Sequence, residues 1–313
     1  TFFEDEDGMF LVSVIIPTHN RWPMIGEAIE SVLKQSYKGH EVIVVDDGSD
    51  DGSIQELSQF DSRINVLVQS RRGVAAARTL GVRLSHGDYL SFLDSDDLWQ
   101  PEKLKTQVAF MEANPEVQIC QVDEIWIRNG VRVNLKKRHY KPSGDIFRAS
   151  LGLCLVSPSS VMMKRGLYDR VGGFDESFEV CEDYDLWLRI AVDTPVSVIP
   201  EPLVVKRGGH KDQLSRSTWG LDRFRILAIE KLLRSGLRGE KGRWAFETLA
   251  RKVAILAKGA RKRGKESEAL NYEGILERLT EEMGNDGSGN PRVRQRERNS
   301  KPDSETMAQL TRT

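Results

Sequence analysis

Short apolar runs alternate with helical patterns along the N-terminal part of this chain, and this alternation constrains the fold more than any other feature. The apolar runs are Val12–Ile16, Glu41–Val45, Ile64–Val68 and Tyr89–Leu93. Helices are predicted between and after them, at about residues 21–33, 73–86 and 101–113. Strand–helix alternation with short connections predicts parallel strands joined by right-handed crossovers. We therefore expect an α/β fold, in which ligands bind beyond the carboxyl ends of the strands.

Polar residues follow three of the four predicted strands. Thr18 and Asn20 come after the first strand, Asp46 and Asp47 end the second, and residues 94–97 follow the fourth. Because the carboxyl ends of parallel strands lie at one edge of a sheet, these side chains should come together. Independent surface turns would have no reason to place their polar residues at one edge. The pattern therefore predicts a binding site there.

The fourth strand ends in three carboxylates within four positions, those of Asp94, Asp96 and Asp97. Carboxylates this close repel one another, so the arrangement is costly without a cation. Their hard oxygen atoms suit Mg²⁺ or Mn²⁺. The alternative is a polar turn that caps the helix beginning near Pro101, since aspartates are common in turns. The polar residues at the other strand ends favour the site.

From residue 117 onward the pattern is mixed. Asn129-Gly130 between two apolar runs, at 117–122 and 131–135, predicts a hairpin. Further predicted elements are a strand at 159–163, a helix ending at 171, a helix at 182–192, and two short strands at 196–199 and 203–206. Helices follow at about 219–235, 241–263 and 266–283. Residues 284–313 carry few apolar side chains and are predicted to be disordered.

Charge and cysteine usage exclude several classes of protein. The formal net charge is −1, so the chain lacks the strong positive charge that would attract a nucleic acid. No apolar run approaches the ~20 residues that span a bilayer, and residues 1–8 are acidic, unlike the start of a signal peptide. The three cysteines, Cys120, Cys154 and Cys181, are widely spaced, which favours a reducing compartment. We expect a cytoplasmic protein without disulfides.

Six segments in a fixed order resemble the family 2 glycosyltransferases, a large inverting group with the GT-A fold. The segments are SVIIPTHNR, VIVVDDGSDDGS, GVAAARTLG, FLDSDDLW, GGFDE and CEDYDLWLR. The resemblance covers about residues 11–215. It implies a GT-A domain there, with a nucleotide-binding half at 11–115 and an acceptor-binding half at 116–215. An acidic lead-in at 1–10, a helical region at 216–283 and the tail at 284–313 would lie outside it.

The resemblance also implies a nucleotide-sugar donor, usually a UDP-sugar, and a divalent metal, Mn²⁺ or Mg²⁺. The residues matched to nucleotide binding are Pro17, Thr18, Asn20, Asp47, Arg78 and Asp94. Asp47 matches the acceptor of a hydrogen bond from the uracil ring, with Asp46 as the less favoured of the pair. Alternatively, Asp47 only caps the following turn, and Arg78 is an ordinary residue of a helix surface.

Asp94 and Asp96 match the DxD motif of the family. By the resemblance, Asp96 binds the metal directly, whereas Asp94 reaches the ribose or a metal-bound water. Asp183 matches the catalytic base, preceded by Glu182. Alternatively, Glu182 and Asp183 are an acidic pair favoured by the dipole at a helix N-terminus. Asp185 is a substitute base two residues away, on a different face of the helix.

Three further side chains and one basic segment have two interpretations each. His210, in GGHKDQLS, matches a region in which a histidine of this family can approach the metal or the diphosphate, or it is structural. Trp99 and Trp187 fit the core better than a platform for sugar rings. The basic run at residues 258–265 could let the enzyme contact anionic lipid at the inner face of a membrane, although a solvated helix face is the preferred interpretation.

We expect an inverting, metal-dependent enzyme that transfers one sugar to a hydroxyl of a glycan or a lipid-linked glycan. Polymer extension is less favoured because the QxxRW motif of processive synthases is displaced here to QLSRSTW, residues 213–219, and no apolar span follows. One rival is an inactive binding subunit, against which the intact Asp96 and Asp183 weigh. A sugar nucleotidyltransferase would need a glycine-rich basic loop that PTHNRWP lacks. The pattern indicates neither the sugar nor the oligomeric state.

Overall fold

The computed structural model describes residues 10–134, 139–209 and 220–285. The chain divides into two compact units, Thr1–Ile146 with Cys154–Ser217, and Phe147–Leu153 with Thr218–Thr313. Apart from Phe10, the predicted lead-in lies outside the described residues, and so does the predicted tail beyond the end of the last helix.

The first unit is built on a nine-stranded mixed sheet. Its strands are β1 (Val12–Thr18), β2 (His40–Asp47), β3 (Asn65–Gln69), β4 (Tyr89–Phe92), β5 (Leu98–Trp99), β6 (Ile119–Arg128), β7 (Val131–Val133), β8 (Val161–Lys164) and β9 (Ser197–Gly208). They are ordered β3-β2-β1-β4-β8-β6-β9-β5, with β7 beside β6. Strands β3, β2, β1 and β4 are parallel, whereas β8 is antiparallel to both β4 and β6. The predicted α/β class and parallel N-terminal half are confirmed.

The helices of the chain are α1 (Met24–Leu33), α2 (Ser53–Leu57), α3 (Val74–Arg83), α4 (Lys103–Ala113), α5 (Phe147–Ser150), α6 (Arg165–Val171), α7 (Glu182–Ala191), α8 (Asp222–Arg234), α9 (Gly239–Lys262) and α10 (Glu266–Asn285). Short 3₁₀ turns occupy Ser58–Arg63 and Pro158–Ser160. The predicted helices are present, with ends that differ by a few residues from the sequence pattern.

The carboxyl ends of the parallel strands lie side by side. The register pairs Thr18 of β1 with Asp46 of β2. Every residue of β1 is buried, as expected for a central strand covered on both faces. Helix α3 lies close to this sheet because Gly81 has no side chain: a Cβ there would lie 2.6 Å from Cγ2 of Ile15 and 3.2 Å from Cγ2 of Val45. The polar residues that end the strands are thereby placed at one edge.

Asp94, Asp96 and Asp97 lie in a five-residue connection, 93–97, between β4 and β5. These two strands are separated in the sheet by β8, β6 and β9. Strand β4 pairs with β1 and β8, whereas β5 pairs with β9, through Leu98 with Val205 and Trp99 with Val204. The connection makes a turn, in which the amide of Asp97 donates to the backbone oxygen of Asp94 at 3.0 Å, and it joins two strands that pair with different neighbours.

The part of the first unit that follows residue 116 differs from the sequence prediction at one strand. The two short strands predicted at 196–199 and 203–206 form one strand, β9, which pairs in parallel with β6. The register moves from Val122 with Ile199 to Asp123 with Pro202, so that Pro200 falls in the irregularity. A proline cannot donate to a ladder, so the pairing is interrupted there while the chain remains extended.

The predicted hairpin is confirmed. Strands β6 and β7 are antiparallel around Asn129 and Gly130. Both residues have positive φ angles, 50° and 76°, as tight two-residue hairpin turns require. Asparagine and glycine tolerate this backbone conformation better than other residues, which explains why this dipeptide marks the turn.

The second unit consists of α8, α9, α10 and the short α5, with a core that includes Leu227, Leu249 and Leu279. Much of the basic run at 258–265 is paired with acids of α10: Arg261 contacts Glu266 and Glu273, and Lys265 contacts Glu268. This pairing supports the solvated helix face over a lipid-binding surface. Among the described residues, no helix combines the length and the apolar character needed to cross a membrane.

Candidate active site

Asn20 connects the loops that follow β1 and β2. Its backbone amide donates to Oγ of Ser49 at 2.9 Å, and its Nδ2 donates to Oδ1 of Asp50 at 2.7 Å. In return, the amide of Asp50 donates to Oδ1 of Asn20 at 2.9 Å. Asn20 has a φ of 52°, a conformation that asparagine tolerates better than most residues. The side chain predicted to lie over a nucleotide therefore also holds the two loops together.

The two acids that end β2 have different surroundings. Asp47 accepts three hydrogen bonds, from Nε2 of Gln69 and the amide of Arg72 at 2.7 Å each and from the amide of Gly73 at 2.8 Å. Asp46 accepts one, from the amide of Ser49 at 2.9 Å. Asp47 thus fixes the loop that leads into α3, whereas the turn that directly follows β2 is bonded to Asp46 and not, as the sequence alternative had it, to Asp47.

Two buried oxygen atoms at this edge have no hydrogen-bond partner among the described residues. They are Oδ1 of Asp46 and Oγ1 of Thr18, which the register places next to each other. Buried polar atoms are usually hydrogen-bonded, so unsatisfied ones suggest a ligand or water. The neighbouring Pro17 is buried in β1 and pairs with Val45. Asp46, which the sequence favoured less than Asp47, is therefore the acid with a free acceptor.

Asp94, Asp96 and Asp97 form a cluster in which one oxygen of each carboxylate lies within 4.8 Å of the others. Asp94 and Asp96 are half-buried, whereas Asp97 is buried. Asp97 accepts from Oγ of Ser159 at 2.7 Å and from the amide of Arg207 at 3.0 Å. The sequence predicted Asp94 and Asp96 for the site. Asp97 joins them, but two protein donors already occupy its oxygens.

The electrostatics of this cluster favour a bound cation. Burial, and then the neighbouring Asp94, raise the pKa of Asp96, against the opposing effects of Arg21 and Lys206. Burial is also the main cause that raises the pKa of Asp97 to about 7. Asp96 and Asp97, whose raised pKa values disfavour their charged forms, would ionise more readily beside a divalent ion. The set of hard oxygen donors suits Mg²⁺ or Mn²⁺, so the residues fit the metal that the sequence pattern indicated.

Basic residues from distant parts of the chain surround the same cluster. Arg21 lies 3.6 Å from Asp96, and Lys206 lies 3.8 Å from Asp97. Arg207 donates through Nε to the backbone oxygen of Asp96 at 2.5 Å and also pairs with Glu27. The sequence pattern did not indicate these cations. Lys206 and Arg207 lie on β9, more than a hundred residues from the cluster, and no local pattern points to them.

The beginning of α7 carries the predicted base. Cys181 precedes the helix with a φ of 64°, and Glu182, Asp183 and Asp185 lie in the first turn. Asp185 is buried and accepts from Nε and Nη2 of Arg189 at 2.9 and 2.7 Å. Asp183 is half-buried, and Sγ of Cys154 lies 3.5 Å from its Oδ2. Asp185 therefore has a structural ion pair, whereas Asp183 is the acid of this turn suited to act as a base.

Arg78 connects the carboxylate cluster with the beginning of α7. Its Nη2 donates to Oδ1 of Asp94 at 2.7 Å, and its Nη1 donates to Oε1 of Glu182 at 2.5 Å. We call Asp94, Arg78 and Glu182 the Arg78 bridge. Burial acts to lower the pKa of Arg78, but the nearby carboxylates raise it above its usual value. Burial raises the pKa of Glu182 to about 7 although Arg78 opposes the shift.

The structure places the remaining predicted residues as follows. Trp99 and Trp187 are buried, which agrees with the core interpretation. The indole of Trp99 donates to the backbone oxygen of Ser159 at 2.7 Å. His210 lies outside the described residues, together with the QLSRSTW segment at 213–219. Apart from His210, the predicted site residues are brought to one edge of the sheet or to the adjoining start of α7.

Comparison with known proteins gives a consistent result. The family model described as "Glycosyl transferase family 2" matches residues 13–172. An uncharacterised glycosyltransferase of Rickettsia felis is 35% identical over 201 residues, which are 61% of this chain and 32% of that protein. This chain thus spans about a third of the length of that relative. A second relative is the Escherichia coli protein WfgD, which is named UDP-Glc:alpha-D-GlcNAc-diphosphoundecaprenol beta-1,3-glucosyltransferase. The two sequences are 32% identical, and the match covers 70% of this chain and 83% of that protein.

A solved structure has the same fold. The crystal structure of S. aureus TarS residues 1–349 in complex with UDP-GlcNAc superposes with a TM-score of 0.67 at 20% identity. The superposition covers 86% of this chain and 81% of that chain. At this level of identity the likeness concerns the fold, and it agrees with the GT-A architecture of the mixed sheet.

Proposed function

The chain belongs to glycosyltransferase family 2, and from this premise we propose that it is an inverting enzyme that transfers a single sugar from a nucleotide-sugar donor. The acceptor would be a hydroxyl of a glycan, most simply one linked to a lipid diphosphate. The likeness to the Escherichia coli glucosyltransferase supports UDP-glucose as the first donor to test and a GlcNAc-diphosphate lipid as the first acceptor.

The donor would bind at the carboxyl ends of β1 and β2. Thr18 and Asp46 each have a buried oxygen free to accept a hydrogen bond, as a uracil ring or ribose could supply. Asn20 and Asp47 fix the loops on either side of this position. In this proposal the unsatisfied acceptors contact the nucleotide directly, whereas Asp47 shapes the pocket through the loop before α3.

Asp96 would be the main protein ligand of a divalent metal, with Asp94 beside it. The bound ion would stabilise the negative charge that develops on the diphosphate as the sugar departs. Asp97 would hold the loop in place, because Ser159 and the amide of Arg207 occupy its oxygens. Lys206 and Arg21 neutralise part of the charge of the cluster before the donor binds.

Asp183 would act as the general base. The acceptor hydroxyl has a pKa far above neutral, so it must lose its proton to a nearby group as it attacks. In this step the acceptor oxygen bonds to the anomeric carbon, the bond from that carbon to the diphosphate breaks, the proton moves to a carboxylate oxygen of Asp183, and UDP leaves. Because the attack and departure are on opposite sides, the anomeric configuration inverts.

The single observation that carries this proposal is the Arg78 bridge. One buried guanidinium contacts both a carboxylate of the DxD cluster and the residue before Asp183. The two parts of the site come from positions more than eighty residues apart, and the bridge brings them within the length of one side chain. A donor diphosphate at the cluster would therefore lie close to the proposed base.

The test is calorimetric binding of UDP in the presence of Mn²⁺ and in EDTA, followed by a transfer assay. Glucose transfer from UDP-glucose to a synthetic GlcNAc-α-diphosphoryl lipid would be followed by mass spectrometry, and the anomer of the product by NMR. We expect metal-dependent UDP binding and a β-linked product. Absence of UDP binding under both conditions, or an α-linked product, would contradict the proposal.

A further inference from the structure

Arg78 is one of the most deeply buried cations of the first unit. Only 4% of its side chain is exposed, compared with 28% for Asp94 and 8% for Glu182. Its guanidinium also lies over the ring of Phe174, 5.3 Å from the centroid. Both terminal nitrogens contact carboxylates and a ring covers one face, so the part of the guanidinium left for a ligand is Nε, which is buried and has no hydrogen-bond partner among the described residues.

The helix that carries Arg78 is fixed against the sheet. Gly81, three residues later in α3, lies in contact with Ile15 of β1 and Val45 of β2. At the start of α3, the amides of Arg72 and Gly73 are held by Asp47 of β2. The guanidinium is therefore carried by a helix that the central strands hold in place, unlike that of an arginine on a mobile surface segment.

A buried ion pair is a costly way to stabilise a fold. Removing charges from water costs about as much as their attraction returns, and apolar residues of similar volume often stabilise a protein equally well. In the Arg78 bridge, Arg78 is 16 residues from Asp94 and 104 residues from Glu182 along the chain. Each of the two carboxylates lies beside a group with a proposed function. Asp94 is part of the metal cluster, and Glu182 directly precedes the proposed base. A geometric role at the site accounts for this placement better than stability does.

We propose that Arg78 is a positioning residue that holds the metal-binding carboxylates and the base helix in one fixed arrangement, and that it does not bind the nucleotide. This inference rests on the proposed function, because it explains why the proposed metal ligand Asp96 and the proposed base Asp183 are held in a fixed relative position. It differs from the nucleotide-contact role that the sequence resemblance implied for Arg78. Glu182 becomes a positioning residue by the same argument.

The two possible roles of Arg78, nucleotide ligand and positioning residue, predict different effects on UDP binding. A nucleotide ligand contributes to UDP affinity whether or not metal is present. A positioning residue on Asp94 contributes to the part of the affinity that depends on metal, and through Glu182 it contributes to turnover. The same logic predicts that substitutions of Arg78 and Glu182 are not additive, because either one breaks the same connection.

The experiment compares Arg78→Lys, Arg78→Met, Glu182→Gln and the Arg78→Met/Glu182→Gln double variant. Arg83→Met is the matched control, since Arg83 is an exposed arginine at the end of the same helix. UDP binding is measured by calorimetry in EDTA and across a Mn²⁺ titration, and transfer is measured with UDP-glucose and the lipid acceptor. Thermal melts establish that each variant is folded. Arg78→Lys and Glu182→Gln preserve polar contacts, which keeps the test informative if Arg78→Met does not fold.

We expect UDP affinity in EDTA to stay within about twofold of the wild type in Arg78→Lys and Glu182→Gln. The enhancement by Mn²⁺ should fall at least about fivefold in Arg78→Lys, and kcat should fall about tenfold or more in both variants. The double variant should be no worse than Arg78→Met. A tenfold loss of UDP affinity in EDTA for Arg78→Lys, with Glu182→Gln unaffected, would overturn the inference and make Arg78 a nucleotide ligand. Wild-type protein that binds no UDP would instead contradict the proposed function, and this inference with it.

Discussion

The thiol of Cys154 lies 3.5 Å from Oδ2 of Asp183, the carboxylate proposed as the base. The same sulfur lies 3.3 Å from the backbone oxygen of Val156, in a segment that continues to Ser159, whose hydroxyl donates to Asp97 of the carboxylate cluster. The residues 154–159 therefore run from the proposed base to the carboxylate cluster. The single S–H of Cys154 has both acceptors within reach, and when it donates to Asp183 it orients the carboxylate without removing its negative charge.

Substitution of Cys154 tests this contact. A weak hydrogen bond contributes roughly 0.5–1 kcal/mol, so Cys154→Ala should lower kcat about two- to fivefold, with little change in KM for UDP-glucose. Cys154→Ser should stay close to the wild type, because a hydroxyl donates to the same oxygen. Steady-state transfer assays distinguish the two variants. Equal losses in the alanine and serine variants would show that packing, and not the donor, matters at this position.

Asp96→Asn should remove the metal-dependent part of UDP binding. The amide keeps the size of the side chain but loses the charge that a divalent ion needs. We expect the Mn²⁺-dependent gain in UDP affinity to fall at least about tenfold, while affinity in EDTA is preserved. Asp169→Asn, on the exposed surface of α6, is the control. Calorimetry with Mn²⁺ and with EDTA makes the measurement, and an unchanged gain would move the metal site away from Asp96.

Asp183→Asn should abolish the general base without disturbing the donor site. We expect kcat for transfer to fall about 10²-fold or more, as for loss of a general base, while calorimetric UDP binding with Mn²⁺ changes less than about twofold. Near-normal transfer would place the base elsewhere.

Asp185→Asn provides a contrast on the same helix turn. Asp185 is buried and bonded twice to Arg189, so its substitution should act on folding instead of chemistry. Hydrogen bonds to charged groups contribute about 1.5–3 kcal/mol, and urea unfolding should show a loss of this order. Folded Asp185→Asn protein should retain most of its kcat. A kcat loss as large as that of Asp183→Asn, in folded protein, would contradict the assignment of the two acids.

Lys103 predicts a pH dependence of stability. It is fully buried, its Nζ donates to Oε1 of Gln107 at 2.6 Å, and burial lowers its pKa well below 10.5. The unfolded chain keeps this lysine charged up to about pH 10.5, so folding at a pH between the lowered pKa and that value releases a proton and costs free energy. Because the unfolded state then binds more protons, the stability contributed at this site rises with pH.

Lys103→Met removes this cost. We expect the free energy of unfolding of the variant, relative to the wild type, to decrease as the pH rises from 7 towards 10, by at most about 1.4 kcal/mol per pH unit. Urea unfolding at pH 7, 8 and 9 makes the measurement, with the exposed Lys105→Met of the same helix as control. The trend with pH is the test, because Gln107 also loses a donor. A difference that is constant with pH would show that Lys103 is charged in the folded protein.

The order of strands and helices in the N-terminal half could be predicted because its signals are local. Apolar runs of four to five residues, helical spacing and the Asn129-Gly130 turn each reflect the conformation of a short segment. The convergence of Thr18, Asp46 and Asp94 followed from topology alone, since parallel strands end at one edge.

The surroundings of the site could not be predicted in the same way. Lys206 and Arg207 lie near the carboxylates because β9 pairs with β5, the strand that directly follows the carboxylates in the chain. No spacing in the sequence indicates this pairing. The burial of Arg78 depends on Gly81 and on the position of α7. No role could be assigned to Cys154 from the sequence, because its contact with Asp183 joins two segments that are separate in the pattern.

The acidic connection between β4 and β5 has a consequence for how this protein can diverge. Its two ends are fixed by strands that pair with different neighbours, and within its five residues the amide of Asp97 donates to the backbone oxygen of Asp94 at 3.0 Å, so that the same few residues make both the turn and the link. Inserting or deleting one residue would shift the carboxylates or break the pairing of β5 with β9. Over evolutionary time this segment should therefore accept point substitutions but not changes in length.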